Sequence, residues 1–205
     1  MSGSVSPLTE LTDELLVKAY RTGREEAMGE LIRRYQGELF HFLLRFVNSR
    51  AAADDLFQET FLQIHISADT FDVTKRFKPW LFTIGANKAR DYLRRNKRHR
   101  AVPLSASIDG EDGTAFIDLM EADLPMPDAT TADGEVRELV RGVVAELPDH
   151  LKEVLLLAYF QRLAYKEIAE MLGIPLGTVK SRLHAAVGTF AELWKTRYPA
   201  LEPER

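Results

Sequence analysis

AYKEIAEMLGIPLGTVKSRLH, residues 164–184, is the stretch that decides the fold. Two short helical patterns meet at Gly173, and Ala169, Gly173 and Val179 fall at the offsets a helix-turn-helix needs. A small residue lets the helices cross closely, glycine permits the tight turn, and a branched apolar residue anchors the second helix. Ile168, Leu172, Ile174 and Leu183 complete the expected buried face. The outward positions of the second helix are Thr178, Lys180, Ser181, Arg182 and His184, with no acid among them. A helix presenting donors in this way suits a DNA major groove. The alternative is an ordinary helical hairpin with a solvated basic face.

Working outward, charge is segregated along the chain. The total is −4 over 205 residues, which by itself argues against a nucleic-acid partner. By blocks, residues 1–72 carry −5, 73–100 carry +9, 101–136 carry −9, 137–198 carry +2 and 199–205 carry −1. Two positively charged blocks separated by an acidic one point to polyanion contact at the basic stretches.

Helical periodicity runs through both ends. Thr12 is a plausible N-cap, with Asp13 and Glu14 in the first turn, where they oppose the helix dipole. Gly23 interrupts, and a second helix from about Glu25 carries Ala27, Leu31, Ile32, Tyr35, Leu39, Phe42, Leu43, Phe46 and Val47 on one face. Asn48-Ser49 ends it and can cap a third helix, about 50–68, with Ala53, Leu56, Phe57, Thr60, Phe61 and Ile64 inward. After TFDVTKRFK a fourth helix runs from about Pro79 to Lys97. Residues 101–134 are acidic, contain two proline-bearing turns and retain Phe116 as the single aromatic, which reads as a flexible linker. Helical pattern resumes at Glu135. No segment alternates like a strand. The expectation is an all-α chain: a disordered 1–10, a domain over 11–100, a linker over 101–134, a helix-turn-helix domain over 135–198 and a tail over 199–205.

Several classes are disfavoured. There is no cysteine, hence no disulfide framework or thiolate zinc site. No apolar run approaches the roughly 20 residues of a membrane span, and MSGSVSPLTE lacks the plan of a signal peptide. A soluble cytoplasmic protein without membrane insertion is expected. The five histidines show no paired metal spacing, and no GxGxxG, GK[ST] or GxSxG is present. No catalytic site, cofactor, metal or small-molecule substrate is expected. One enzyme alternative is a metal-dependent helical hydrolase using the carboxylates of DDLFQE, residues 54–59.

Three motifs, in order, resemble the bacterial extracytoplasmic-function RNA polymerase sigma factors of the sigma-70 family. DDLFQETFLQI, residues 54–64, is similar to the family's polymerase-binding helix. FKPWLFTIGANKARDYLRRNKR, residues 77–98, is similar to the helix that engages the promoter −10 element. LPDHLKEVLLLAYFQRLAYKEIAEMLGIPLGTVKSRL, residues 147–183, is similar to the domain that reads the −35 element. The resemblance implies a non-catalytic factor that binds core RNA polymerase and promoter DNA, promotes strand opening, and is commonly restrained by an anti-sigma factor.

By the same resemblance, Asp55, Gln58, Glu59 and Leu62 dock on a coiled coil of the polymerase largest subunit. Read as residues, Asp55 and Glu59 are like charges at i,i+4, a pairing that invites an external cation. The −10 set comprises Phe71, Lys75, Arg76, Phe77, Lys78, Trp80, Asn87, Lys88, Asp91, Arg94, Arg95 and Arg98. Basic groups there would follow phosphates, and aromatics would stack on unpaired bases. Trp80 and Tyr92 occupy apolar helical positions and are expected to be partly core, whereas the resemblance implies that Phe77 and loop 71–78 hold a flipped base. Asn87 could bond a base or brace the loop. Arg182 could read guanine or bind phosphate. The −35 set is Thr178, Lys180, Ser181, Arg182 and His184. Two departures stand out: His184-Ala185-Ala186 replaces further basic residues, and Ala164 stands at the usual serine N-cap, leaving Glu167 with half a capping box. The rival reading is a stand-alone helix-turn-helix regulator, which would bind an operator as a symmetric dimer.

Overall fold

The computed structural model describes residues 7–98 and 133–199, and its contacts divide the chain into two compact units, meeting between Leu93 and Arg94. The expected linker therefore lies outside the described residues, except that 133–134 already belong to a helix. Most of the expected N-terminal and C-terminal tails lie outside them too.

The first unit is built from α1 (Asp13–Arg21), α2 (Glu26–Val47), α3 (Arg50–Ser67) and α4 (Phe77–Arg98) as far as Leu93, the last turn of α4 lying past the boundary. Thr12 accepts a hydrogen bond from Leu15 N at 3.4 Å, so α1 starts where a side-chain oxygen can satisfy an otherwise orphaned donor. Gly23 sits at φ +93°, accessible to glycine at little cost, and turns the chain into α2. Asn48 ends α2 in the left-handed region, and Ser49 at once caps α3 through Ala52 N. The core is fully buried: Leu16 from α1, Leu31, Leu39, Phe42, Leu43 and Phe46 from α2, Ile64 from α3, Leu81 and Phe82 from α4. Each such side chain contributes about 1.5–3 kcal/mol by leaving water. Phe42 meets Phe82 edge-on, with centroids 5.2 Å apart. Gly85 permits the close crossing of α4 over α2, because a Cβ there would lie 3.1 Å from Leu39 Cδ1.

Residues 7–10 depart from the expected disorder. Leu8–Glu10 form a 3-10 turn, and Arg34 explains it. Its guanidinium donates to the carbonyls of Leu8 (3.2 Å), Thr9 (3.0 Å) and Leu11 (2.9 Å), and to Asp13 (2.8 Å) and Glu30 (2.8 Å). Arg33 joins Glu30 from the other side at 2.7 Å. Both guanidinium groups hold the Glu30 carboxyl far below its ordinary value, at about 2. Tyr35 donates its hydroxyl to Asp13, and its burial raises the phenol above the usual range.

The second unit contains α5 (Asp133–Glu146), α6 (Asp149–Leu155), α7 (Tyr165–Leu172) and α8 (Leu176–Arg197). Its core includes Val143, Val144, Leu147, Val154, Leu156, Leu157, Ile168, Val179 and Ala186. The end of α6 widens into a π turn over Leu156–Phe160, where Gln161 N reaches back to Leu156 O at 3.1 Å. Apolar spacing cannot distinguish this turn from an α turn, because Leu155, Leu156 and Leu157 are all buried. Lys152, itself buried, donates to the Ala145 carbonyl at 2.8 Å near the end of α5. Arg197 pairs with Glu146 and ties the end of α8 to that of α5.

Candidate nucleic-acid and polymerase interfaces

The helix-turn-helix is α7, the turn and α8. Ala164 adopts an extended N-cap conformation and donates its N–H to Glu167 Oε2 at 2.9 Å. The reciprocal bond needs a side-chain oxygen that alanine lacks, so half a capping box is present, as the sequence implied. Gly173 closes α7 at φ +63°, and Ile174 N returns to Ala169 O at 3.1 Å. Leu172 and Ile174, expected to be buried, are only half-buried. Val179 and Leu183 face inward, at 0% and 5% exposure. Lys180 and Ser181 are fully outward, while Thr178, Arg182 and His184 are half-buried. Arg182 lies near the start of α6: burial first, and then the Arg182 charge, hold His150 below the usual histidine range. The outer face therefore separates Lys180 and Ser181 from Arg182, which leans toward its own fold.

The −10 set divides differently from expectation. Phe71 and Phe77 are core residues, 6% and 0% exposed, and cannot hold an extruded base without unpacking the unit. Phe77 is the first residue of α4 and rests against Tyr35, with centroids 5.5 Å apart, and Phe71, 6.0 Å apart. The physical reason is that both flank a short connection that must cross the end of the core. Trp80 stacks on Phe71 at 4.6 Å with planes 28° apart, so Trp80 is half-buried and one ring face is covered. Tyr92 is half-buried as well.

Lys78 and Lys88, expected at phosphates, have internal partners. Lys78 pairs with Glu38 at 2.5 Å and lies over the Phe82 ring, and Lys88 pairs with Glu59 at 3.2 Å. Asn87 is exposed and accepts a hydrogen bond from Arg90 on its own helix. Lys75 and Arg76 on the loop, and Asp91, Arg94 and Arg95 along α4, are exposed. Arg98 closes α4. The loop itself is folded: the Asp72 carboxylate accepts from Thr74 N at 3.0 Å and Thr74 Oγ1 at 2.7 Å. The Thr74 hydroxyl and N–H hold Asp72 below its usual carboxyl range.

On α3, Asp55 and Gln58 are exposed, and Leu62 is 58% exposed. The Lys88 ion pair answers Glu59 from within the fold, in place of the external cation expected from sequence. Ile66, 65% exposed and one turn beyond Leu62, extends the apolar part of this face. The sequence reading missed it, although its i,i+4 relation to Leu62 was a usable signal. Two further residues were missed with no local signal. Arg21 and Glu14 on α1 bond the ends of the 71–76 connection, 47 to 63 residues away in sequence. Partial burial pushes the Glu14 carboxyl up, but the Phe77 N–H and neighbouring groups hold it below its ordinary value.

Among the described residues, no helix is long and apolar enough to cross a membrane. Residues 31–99 match sigma-70 region 2 and residues 137–189 match sigma-70 region 4. The chain is 32% identical to the ECF RNA polymerase sigma-E factor of Haemophilus influenzae, over 86% of this chain and 92% of that protein. It is 29% identical to the ECF RNA polymerase sigma factor SigW of Bacillus subtilis, over 82% and 89% respectively. In fold it resembles the sigma factor RpoE of Bartonella quintana, solved in complex with the anti-sigma factor NepR: the TM-score is 0.62 at 20% identity, covering 83% of this chain and 98% of that one. With two sigma-70 regions in order and this identity over nearly the whole length, the chain belongs to the ECF RNA polymerase sigma factors.

Proposed function

We propose that this sigma factor divides its work among three surfaces. As a member of its family it is a non-enzymatic initiation factor that binds RNA polymerase and directs it to promoters. The α3 face of Asp55, Gln58, Leu62 and Ile66 docks on polymerase, with Glu59 held in register by Lys88. The folded loop 71–76, the open side of Trp80 and the exposed Asn87, Asp91, Arg94 and Arg95 of α4 receive the −10 element. Lys180 and Ser181 enter the major groove of the −35 element, and Arg182 serves its backbone edge. Thr178 and His184 flank this contact.

The observation that carries the reading is the pair of exposed apolar side chains Leu62 and Ile66, on a helix whose opposite face already fills the core. An exposed apolar pair of this kind marks a surface that docks on another protein, and in a member of this family the polymerase is the partner that fits it. The protein acts in the cytoplasm, and an anti-sigma factor is a fitting partner, since the structurally similar RpoE was solved with one.

In-vitro transcription with core polymerase tests the assignment. Addition of the chain should create start sites downstream of paired −35 and −10 elements, and the chain alone should be monomeric and bind promoter duplex weakly. Tight operator binding by an isolated dimer would establish the regulator reading instead. Lys180→Ala should relax base preference within the −35 element, by about 1–3 kcal/mol for a good base contact. Arg182→Ala should weaken all promoters alike and reduce the salt slope by about one.

A further inference from the structure

We propose that α1 fixes the shape of the −10 loop, with Arg21 and Glu14 as positioning residues for −10 recognition; the inference rests on the assignment of loop 71–76 to that element. One short helix holds both ends of the connection. At the entrance, Arg21 Nε donates to the Ala68 carbonyl at 2.6 Å and its Nη2 donates to the Phe71 carbonyl. At the exit, Glu14 Oε1 accepts from Phe77 N at 2.9 Å, capping α4 from a distant part of the chain. Between these anchors the Asp72 turn folds the tip, Lys75 N returns to Asp72 O at 2.9 Å, and Val73, Thr74, Lys75 and Arg76 project into solvent.

The chemistry of the two anchors suits the task. A guanidinium is a planar fork that can serve two carbonyls at once, while a lysine ammonium is a point donor on a flexible stem. Glu14 and Arg21 are seven positions apart, two helical turns, so they share a face of α1. A loop held at both ends surrenders little further entropy when it closes on an unpaired base. A loop free at either end can still touch DNA, but it adapts to any base and so discriminates less. Neither anchor is expected to touch DNA itself.

The test uses the full chain with core polymerase and two promoter libraries, one randomised in the −10 element and one in the −35 element. Arg21→Ala should flatten the −10 preference and lower opening on duplex promoters by about ten- to a hundredfold, the worth of hydrogen bonds from a charged donor. The −35 preference and the affinity for core should stay at wild-type values. Arg21→Lys should recover only part of the preference. Glu14→Gln, which keeps an acceptor for Phe77 N, should retain the preference that Glu14→Ala loses. A purely structural role would instead scale all −10 sequences down together. If Arg21→Ala does not fold, the Glu14 pair decides. Wild-type −10 preference in Arg21→Ala, or in Glu14→Ala, overturns the inference. Tip substitutions Val73→Ala and Lys75→Ala separate it from the site assignment: if they alter −10 preference while the anchor variants do not, only the clamp is wrong, and if none does, both fall.

Discussion

Replacing Phe77 by alanine sets two roles against each other. As a stacking platform for an extruded base, Phe77 could be truncated without harm to the fold, and pre-melted promoter DNA would restore part of the activity. The structure instead leaves it 0% exposed, between Tyr35, Phe71 and Trp80 with ring centroids 5.5–6.0 Å away. Truncation there removes a buried ring and opens a cavity, at a cost of about 3–5 kcal/mol. A domain of this size loses roughly 4–8 °C per kcal/mol, so the melting temperature of the first unit should fall by more than about 12 °C. Phe77→Leu, which keeps most of the volume, should cost less than about 1.5 kcal/mol if its neighbours repack. The assays are a thermal melt of the full chain and abortive transcription on duplex and pre-melted templates. Phe77→Ala should lose activity on both templates in proportion, and Phe77→Leu should keep most of it on both. An unchanged melt in Phe77→Ala, with loss confined to the duplex, would refute the core assignment.

Leu62→Ser and Ile66→Ser should each weaken binding to core polymerase by about tenfold, as truncated anchors of an apolar patch do, while leaving the melt within a degree or two; calorimetric titration of core checks this. Ala164→Ser should supply the oxygen missing from the cap of α7 and raise the stability of the second unit by about 1 kcal/mol in a denaturant melt. The Glu30 carboxyl sits at about 2 in the fold against an ordinary 4.5, so its contribution is complete above 4.5 and drains away as pH falls toward 2. Wild type should therefore exceed Glu30→Gln by a constant margin near neutrality that narrows across that interval, as read by urea melts at stepped pH.

Periodic apolar spacing made α2 and α3 legible, because every third or fourth residue must face the same core. The caps at Thr12 and Ser49 and the turn at Gly173 were legible too, since each satisfies its backbone through neighbours within a few residues. Charge segregation and the helix-turn-helix offsets pointed to DNA for the same local reason. The connection 71–77 has no period, so an aromatic among lysines and arginines reads equally as a stacking platform or as a plug, and only packing placed Phe71 and Phe77 inside. Basic residues likewise announce charge but not its partner. The Lys88–Glu59 and Lys78–Glu38 pairs depend on which helices cross, a matter settled by the fit of Gly85 against Leu39 and of Phe82 against Phe42. The anchors at Arg21 and Glu14, and the turn held by Arg34, are likewise products of tertiary structure, because their partners are backbone groups, which carry no side-chain signature for a sequence to display.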